Sequence, residues 1–209
     1  KIEYFELQTT PGPFRVSKKS FDYILETERY EEFPYVPTGD TASGITIGYG
    51  YDLGHQTEAN VRRDLSGLYT KAEIDNFVAV IGKTRASART SLSNIASISI
   101  SKDDAMNLAL RMKARYANDV LSIYPEVIEL HPHCQGSLLS LVINRGSGLK
   151  GERRREMREI RDDFNNGTPE NIAGRLRSMK RVWEGQGQGG LLKRRDKEAE
   201  LFEEGLKCD

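Results

Sequence analysis

From Thr70 onward, the apolar residues of this chain recur at the three- and four-residue spacing of amphipathic helices. A capping box, Thr70 with Glu73, opens the first of these helices, and Ser101 with Asp104 plays the same part for a longer one. Further helices are predicted over 135–144, 151–165, 168–183 and 191–205. A chain of this kind buries most of its apolar surface between helices.

One short stretch has the alternation of a strand. Residues 45–52 alternate β-branched or aromatic side chains with small ones and are bounded by Gly44 and Gly54, which predicts a strand in a small hairpin or sheet. Upstream, an amphipathic stretch that ends near Glu28 predicts a helix of about two turns, opened by a serine at 17 or 20. The prolines of 33–40 predict a loop or an irregular edge. The expected fold class is therefore α+β.

These patterns divide the chain into a small β-hairpin lobe and a larger helical lobe. The small lobe is expected at about 21–69 and the helical lobe at about 70–205. Residues 1–20 contain a stretch broken by proline and glycine, and the chain begins without Met. They are predicted to be an N-terminal extension or a linker from a longer chain.

The charges balance overall, with 31 Lys and Arg against 31 Asp and Glu, but they are unevenly distributed. Residues 21–75 carry 11 acidic and 4 basic side chains, whereas 145–195 carry 14 basic and 7 acidic ones. Such a split can bring the two regions of the chain together, or it can present a basic surface to an anionic polymer. A helical nucleic-acid-binding domain is one alternative. It is disfavoured because Glu152, Glu156 and Glu159 interrupt the basic residues. The longest apolar runs, such as 138–143, are too short to span a membrane.

Several carboxylates and aromatic residues fall at the predicted junction of helix, loop and strand. Glu28 stands where the first helix should end, so its side chain can face a cleft. One carboxyl in apolar surroundings and another in polar ones is the arrangement that separates acid from base in glycoside hydrolysis. The side chains that follow Glu28 on the loop and the strand are Tyr35, Asp40, Thr46, Tyr49, Tyr51 and Asp52.

Four motifs of the chain resemble, in the same order, those of phage-type lysozymes. They are Glu28 followed seven positions later by Tyr35, the hairpin stretch 44–54, the helix end at 140–146, and Trp183 followed by 190–198. The pattern is most similar to the lysozyme-like domains of pesticin and of type VI secretion effectors. The resemblance spans about 21–202 and implies a lysozyme-like fold with its active site in the cleft between the two lobes.

The resemblance also implies a role for individual residues. Glu28 matches the general acid that protonates the glycosidic oxygen, and Thr46 matches a hairpin threonine that helps to hold the attacking water. Arg194 matches an arginine near the catalytic Glu. The residues expected to bind substrate are Tyr35, Tyr49, Tyr51, Asn144, Trp183 and Arg194. No metal or organic cofactor is implied, because general acid–base chemistry is sufficient for this reaction.

Two residues compete for the place of the second catalytic carboxylate. In the common phage pattern this residue lies nine positions after the Glu, where the present chain has Pro37. Asp40 fits after a short insertion, and Asp52 fits the pesticin pattern of a Glu, a Thr and an Asp. An even-numbered step from Thr46 to Asp52 along a straight strand leaves both side chains on one face, which favours Asp52.

The implied function is that of a muramidase, which hydrolyses the β-1,4 bond between N-acetylmuramic acid and N-acetylglucosamine in peptidoglycan. As a module of an antibacterial toxin or type VI secretion effector, it would be secreted or delivered to the bacterial periplasm, and an immunity protein would protect the producer. We expect a monomer that binds glycan strands, without nucleic acid and without membrane insertion. The alternative is a catalytically silent module that binds the cell wall, because the nine-spaced Asp is missing.

Overall fold

A computed structural model describes residues 1–39 and 42–208. Helices and small antiparallel sheets occur together in it, which confirms the α+β class. The strands are β1 (Tyr4–Thr9), β2 (Gly12–Ser17), β3 (Glu31–Tyr35), β4 (Thr46–Gly48) and β5 (Tyr51–Asp52). The helices are α1 (Lys18–Glu26), α2 (Glu58–Leu65), α3 (Lys71–Val78), α4 (Arg85–Leu92), α5 (Lys102–Ile123), α6 (Pro132–Arg145), α7 (Arg155–Asn165), α8 (Ile172–Ser178) and α9 (Gly189–Lys207). Within the described ranges, no helix has both the length and the apolarity needed to cross a membrane.

The chain forms two compact units. The middle unit is Leu25–Met112, and the terminal unit combines Lys1–Ile24 with Lys113–Asp209. The predicted lobes, about 21–69 and 70–205, divide the chain at other points. Residues beyond 70 stay with the middle unit because they bond to its sheet: the Ile100 N–H donates to the Glu32 carbonyl (2.9 Å).

The helix starts follow local signals that the sequence displays. The Oγ of Ser17 accepts the backbone N–H of Ser20 at the start of α1 (3.2 Å). Thr70 and Glu73 form the complete capping box of α3, and the Ser101 Oγ accepts the Asp104 N–H at the start of α5 (3.1 Å). Each cap satisfies backbone N–H groups that have no partner inside the helix. The predicted starts of α1, α3 and α5 are therefore confirmed.

Residues 1–20, expected as an extension or linker, contain a β-hairpin. Strands β1 and β2 pair antiparallel, and Thr9 is opposite Gly12, whose φ of +139° a side chain would rarely allow. Phe14 and Val16 are fully buried. The hairpin is tied to α6, because the Arg15 N–H donates to the Oε1 of Gln135 (2.7 Å). Part of the core of the terminal unit therefore comes from the first 20 residues.

A buried histidine joins this hairpin to α6 and α9. The Nδ1 of His133 lies 2.7 Å from the Ser17 Oγ, and its Nε2 lies 3.6 Å from a carboxylate oxygen of Glu204. Burial lowers the pKa of His133, the neighbouring His131 and Lys19 lower it further, and Glu204 opposes them. The folded protein therefore favours the neutral ring.

We expect the stability of the protein to fall with acidification because of this ring. The unfolded chain takes up the proton near pH 6.5, while the folded chain resists it to a lower pH, so the contribution of His133 is fully present above about pH 6.5 and decreases below it. Urea unfolding at pH 7.5 and pH 5.5 measures the effect. The loss of unfolding free energy between pH 7.5 and pH 5.5 should be smaller in His133→Gln than in wild type. In His55→Gln it should equal the wild-type loss, because the His55 side chain is 59% exposed. An equal change in all three proteins would contradict this prediction.

Candidate active site

Three of the predicted site residues form one row across the sheet of the middle unit. The strand order is β3-β4-β5, with Tyr35 paired to Thr46 and Thr46 paired to Asp52. Directly paired residues of antiparallel strands project to the same face. With strands about 4.8 Å apart, the row is about 10 Å long. The sheet thus brings Tyr35, Thr46 and Asp52 together on one face.

The common face of Thr46 and Asp52 was predicted, but its geometry differs from the prediction. The stretch 46–52 is not one straight strand, because it turns through Gly48, Tyr49 and Gly50 between β4 and β5. Gly48 and Gly50 have φ values of +59° and +86°. Glycine adopts this left-handed region readily, which allows the tight reversal. The two side chains share a face because they pair across the hairpin.

Asp52 has a defined structural role at the end of the hairpin. Its Oδ1 accepts the backbone N–H groups of Gly44 (2.9 Å) and Gly54 (2.8 Å). Its Oδ2 lies 3.9 Å from the Nε2 of His55, and the Asp52 side chain is 23% exposed. One carboxylate oxygen therefore holds the backbone. Asp40, the competing carboxylate, lies outside the described residues.

The glycines on either side of Asp52 are required by close backbone packing. A Cβ on Gly44 would lie 2.5 Å from the Gly54 Cα and 2.5 Å from the Lys83 carbonyl oxygen. These distances are shorter than any van der Waals contact and involve backbone atoms that cannot move aside easily. This contact fixes the backbone that orients Asp52.

Thr46 lies at the centre of the row and is only 3% exposed. Its hydroxyl donates to the Gly44 carbonyl at 3.2 Å. A hydroxyl that donates its proton in this way keeps its lone pairs for accepting a hydrogen bond. Thr46 can therefore accept a hydrogen bond from a water or a substrate hydroxyl.

Glu28 lies two residues beyond the end of α1, and its backbone N–H donates to the Leu25 carbonyl (2.9 Å). Its side chain is half-buried. Burial raises the pKa of Tyr35, and the charges of Glu31, Asp52 and Glu28 raise it further. The Tyr35 phenol therefore stays protonated and can donate a hydrogen bond.

Tyr49 and Tyr51 lie below the surface of the middle unit. Tyr51 is 1% exposed, and its hydroxyl donates to the Oδ2 of Asp64 (2.8 Å). Tyr49 is 7% exposed, and its ring centroid lies 5.5 Å from that of Tyr30. In this conformation both rings support the hairpin from within, and neither presents a surface of the size that a sugar contacts.

The other predicted substrate-binding residues belong to the terminal unit. Arg194 is 8% exposed and donates to the Ser140 carbonyl (2.9 Å), and burial lowers the pKa of its guanidinium. The exposed Asn144 accepts a hydrogen bond from Arg195 (3.0 Å), and Trp183 lies under the Arg195 guanidinium. Arg194 and Trp183 therefore contribute to the packing of α6 and α9 in this unit.

Two residues near the row were not predicted. Phe33 is 47% exposed on the edge strand β3, where the register with β4 shifts between Glu31 and Tyr35. Pro34 is accommodated in this irregular edge because an edge strand has N–H groups without a ladder partner. His55 lies beside Asp52 and follows it at a three-residue spacing. This spacing was the available signal for His55, whereas the exposure of Phe33 has no signature in the sequence.

The chain belongs to a domain family of unknown function, DUF8812, whose model matches residues 26–131. No curated protein matches the chain. The matched segment contains the row and Glu28, and it ends before α6 begins.

Proposed function

We propose that the protein is a lysozyme-like glycoside hydrolase that cleaves peptidoglycan between N-acetylmuramic acid and N-acetylglucosamine. The observation that carries the proposal is the row of Tyr35, Thr46 and Asp52 on one face of the sheet, in the same unit as the half-buried Glu28. Two carboxylates beside neutral hydroxyl groups are the components that general acid–base cleavage of a glycoside requires.

In the proposed reaction, Glu28 donates a proton to the glycosidic oxygen as the bond to the anomeric carbon breaks. A water attacks that carbon, while Thr46 accepts one of the water's hydrogen bonds. Asp52 takes up the water's proton through Oδ2, because Oδ1 already accepts two backbone N–H groups. Tyr35 donates a hydrogen bond to the substrate. The charge of the oxocarbenium-like transition state is stabilised by the two carboxylates.

The resemblance of the sequence motifs to those of phage-type lysozymes and type VI secretion effectors supports a biological setting for this activity. The enzyme would act on peptidoglycan glycan strands in the periplasm of a target bacterium, as the catalytic module of a toxin or type VI secretion effector. A producer would then need an immunity protein that blocks the active site. The proposed form is a monomer.

A catalytically silent wall-binding module is the second candidate, and one observation favours it. The Oδ1 of Asp52 is fully engaged as the cap of the short 3₁₀ turn at Leu53–His55. A residue with this structural duty would remain important for the fold even if the protein catalysed nothing. The same glycan ligand would then be bound and left intact.

Mass spectrometry of soluble fragments released from purified peptidoglycan tests the proposal. Wild type should release disaccharide-peptides with reducing muramic acid ends. Asp52→Asn should lower release by about 10²-fold, whereas Asp40→Asn should match wild type, because Asp52 is the carboxylate that shares a face with Thr46. A reversed order of the two variants would assign the role to Asp40. No release by a folded, wall-bound wild type would favour the silent module.

A further inference from the structure

Several arginines converge on the connection between α6 and α7 in the terminal unit. Arg145 ends α6, Arg153 and Arg154 lie in the short 3₁₀ turn that follows, and Arg195 comes from α9. Burial and, after it, the charges of Arg154, Arg195 and Arg153 together lower the pKa of Arg145 to about 10. The Arg145 guanidinium donates to the Arg153 carbonyl (2.6 Å), and the guanidinium groups of Arg145 and Arg195 lie 4.8 and 5.4 Å from the centroid of the Trp183 ring.

The carboxylates near Arg145 and Arg154 are engaged by other side chains. Glu156, the acidic residue that acts on Arg145, is fully buried and accepts two hydrogen bonds from Arg181 (2.7 and 2.9 Å). Glu198 is fully buried and accepts hydrogen bonds from Arg195 (2.7 Å) and Ser140 (2.6 Å). These hydrogen bonds to both carboxylates thus come from groups other than Arg145 and Arg154.

Two guanidinium N–H groups of this cluster have no acceptor. The Nε of Arg145 and the Nη1 of Arg154 are buried atoms without a hydrogen-bond partner among the described residues. The Nη2 of Arg145 donates to the Arg153 carbonyl (2.6 Å). A buried donor without an acceptor is costly, and a charged donor more so. Arg145 and Arg154 therefore combine positive charge with hydrogen-bond donors that no described acceptor satisfies.

We propose that Arg145 and Arg154, with the exposed Arg153 at the rim, form a binding site for an oxyanion, either a carboxylate or a phosphate. Guanidinium groups recognise both through paired charge-assisted hydrogen bonds. The site does not depend on the proposed hydrolase function, and its side chains all belong to the terminal unit.

The connection that carries the site is held in a fixed shape. Arg158 donates from Nη1 to the carbonyls of Leu149 and Gly151, both at 2.7 Å. Gly146 and Gly151 have φ values of +74° and +94°, which favour glycine. Because the backbone is already ordered, binding of an anion does not have to pay for folding the loop.

The fluorescence of Trp183, the single tryptophan of the chain, can report the binding of an anion. The Arg145 guanidinium lies 4.8 Å from the centroid of the Trp183 ring, so an anion that moves or neutralises Arg145 should change the emission of Trp183. Inorganic phosphate and the dicarboxylate glutarate are titrated separately at pH 7, with sodium chloride added to keep the ionic strength constant. We expect at least one of them to give a saturable change, with a dissociation constant of about 1 mM or lower.

The variants distinguish a site from general charge attraction. Arg154→Gln should weaken binding by about tenfold or more, and Arg154→Lys, which keeps the charge but loses the planar fork, should also weaken it. Arg161→Gln is the matched control, because the Arg161 side chain is 39% exposed and interacts with its neighbour Asp162 (3.3 Å); it should bind as wild type does. Circular dichroism establishes that each variant is folded.

Each outcome decides the inference. Saturation by phosphate alone assigns a phosphate site, and saturation by glutarate alone assigns a carboxylate site. Saturation by both assigns a site for either oxyanion. If neither anion saturates wild type, or if both folded Arg154 variants bind as tightly as Arg161→Gln, the inference is overturned.

Discussion

Replacing Glu28 with Gln should lower the release of peptidoglycan fragments by about 10³-fold. The amide keeps the size and the hydrogen-bonding shape of the carboxyl group but has no acidic proton for the glycosidic oxygen. The binding of insoluble peptidoglycan should change little, because the remaining contacts with the glycan are kept. The measurement is the initial rate of fragment release, together with the bound fraction in a pull-down with intact cell walls.

Glu26→Gln is the matched control for this variant. Glu26 is the last residue of α1, it is exposed, and it lies two positions before Glu28. It should retain the wild-type rate. A Glu28→Gln protein that releases fragments as fast as Glu26→Gln would remove Glu28 from the reaction and, with it, the proposed mechanism.

Replacing Glu198 with Gln should destabilise the protein by about 3 kcal/mol or more. Glu198 and Arg195 are both fully buried, and they interact at 2.5 and 2.7 Å. Ser140 donates to the same carboxylate. The substitution leaves the charge of Arg195 in the core without its counter-ion, and a buried charge that loses its partner is strongly destabilising. Urea denaturation followed by circular dichroism gives the difference in unfolding free energy.

A neighbouring ion pair provides the control for this prediction. The carboxylate of Asp196 lies 2.8 Å from the Nζ of Lys180, and the two side chains are 44% and 27% exposed. Asp196→Asn should cost about 0.5 kcal/mol, because water screens a partly exposed pair. Similar losses in Glu198→Gln and Asp196→Asn would mean that burial adds nothing to the pair of Glu198 and Arg195.

Features that depend on neighbours a few positions apart could be predicted from the sequence alone. The starts of α1, α3 and α5 are visible because a capping side chain and the N–H group that it accepts lie three residues apart. The shared face of Thr46 and Asp52 was also predicted, but the prediction assumed one straight strand, whereas the two residues share a face because they pair across the hairpin.

The accessibility of these side chains and the groups that they contact depend on packing between distant segments, so they become visible only in the fold. Tyr51 could face either side of a strand, and its burial depends on Asp64, which lies on α2. The role of Asp52 as a backbone anchor depends on the close approach of Gly44 to Gly54. These contacts join residues from different elements, so no local spacing encodes them.

The division of the chain into two compact units also depends on contacts between segments that are distant in sequence. The first 20 residues form a hairpin whose Phe14 and Val16 are buried in the terminal unit, together with residues after 112. Arg194 and Arg195 are adjacent in sequence, but they take different partners on α6, Ser140 and Asn144. Periodicity indicates which face of an element is buried, whereas the choice of partner depends on packing between segments that are distant in the chain.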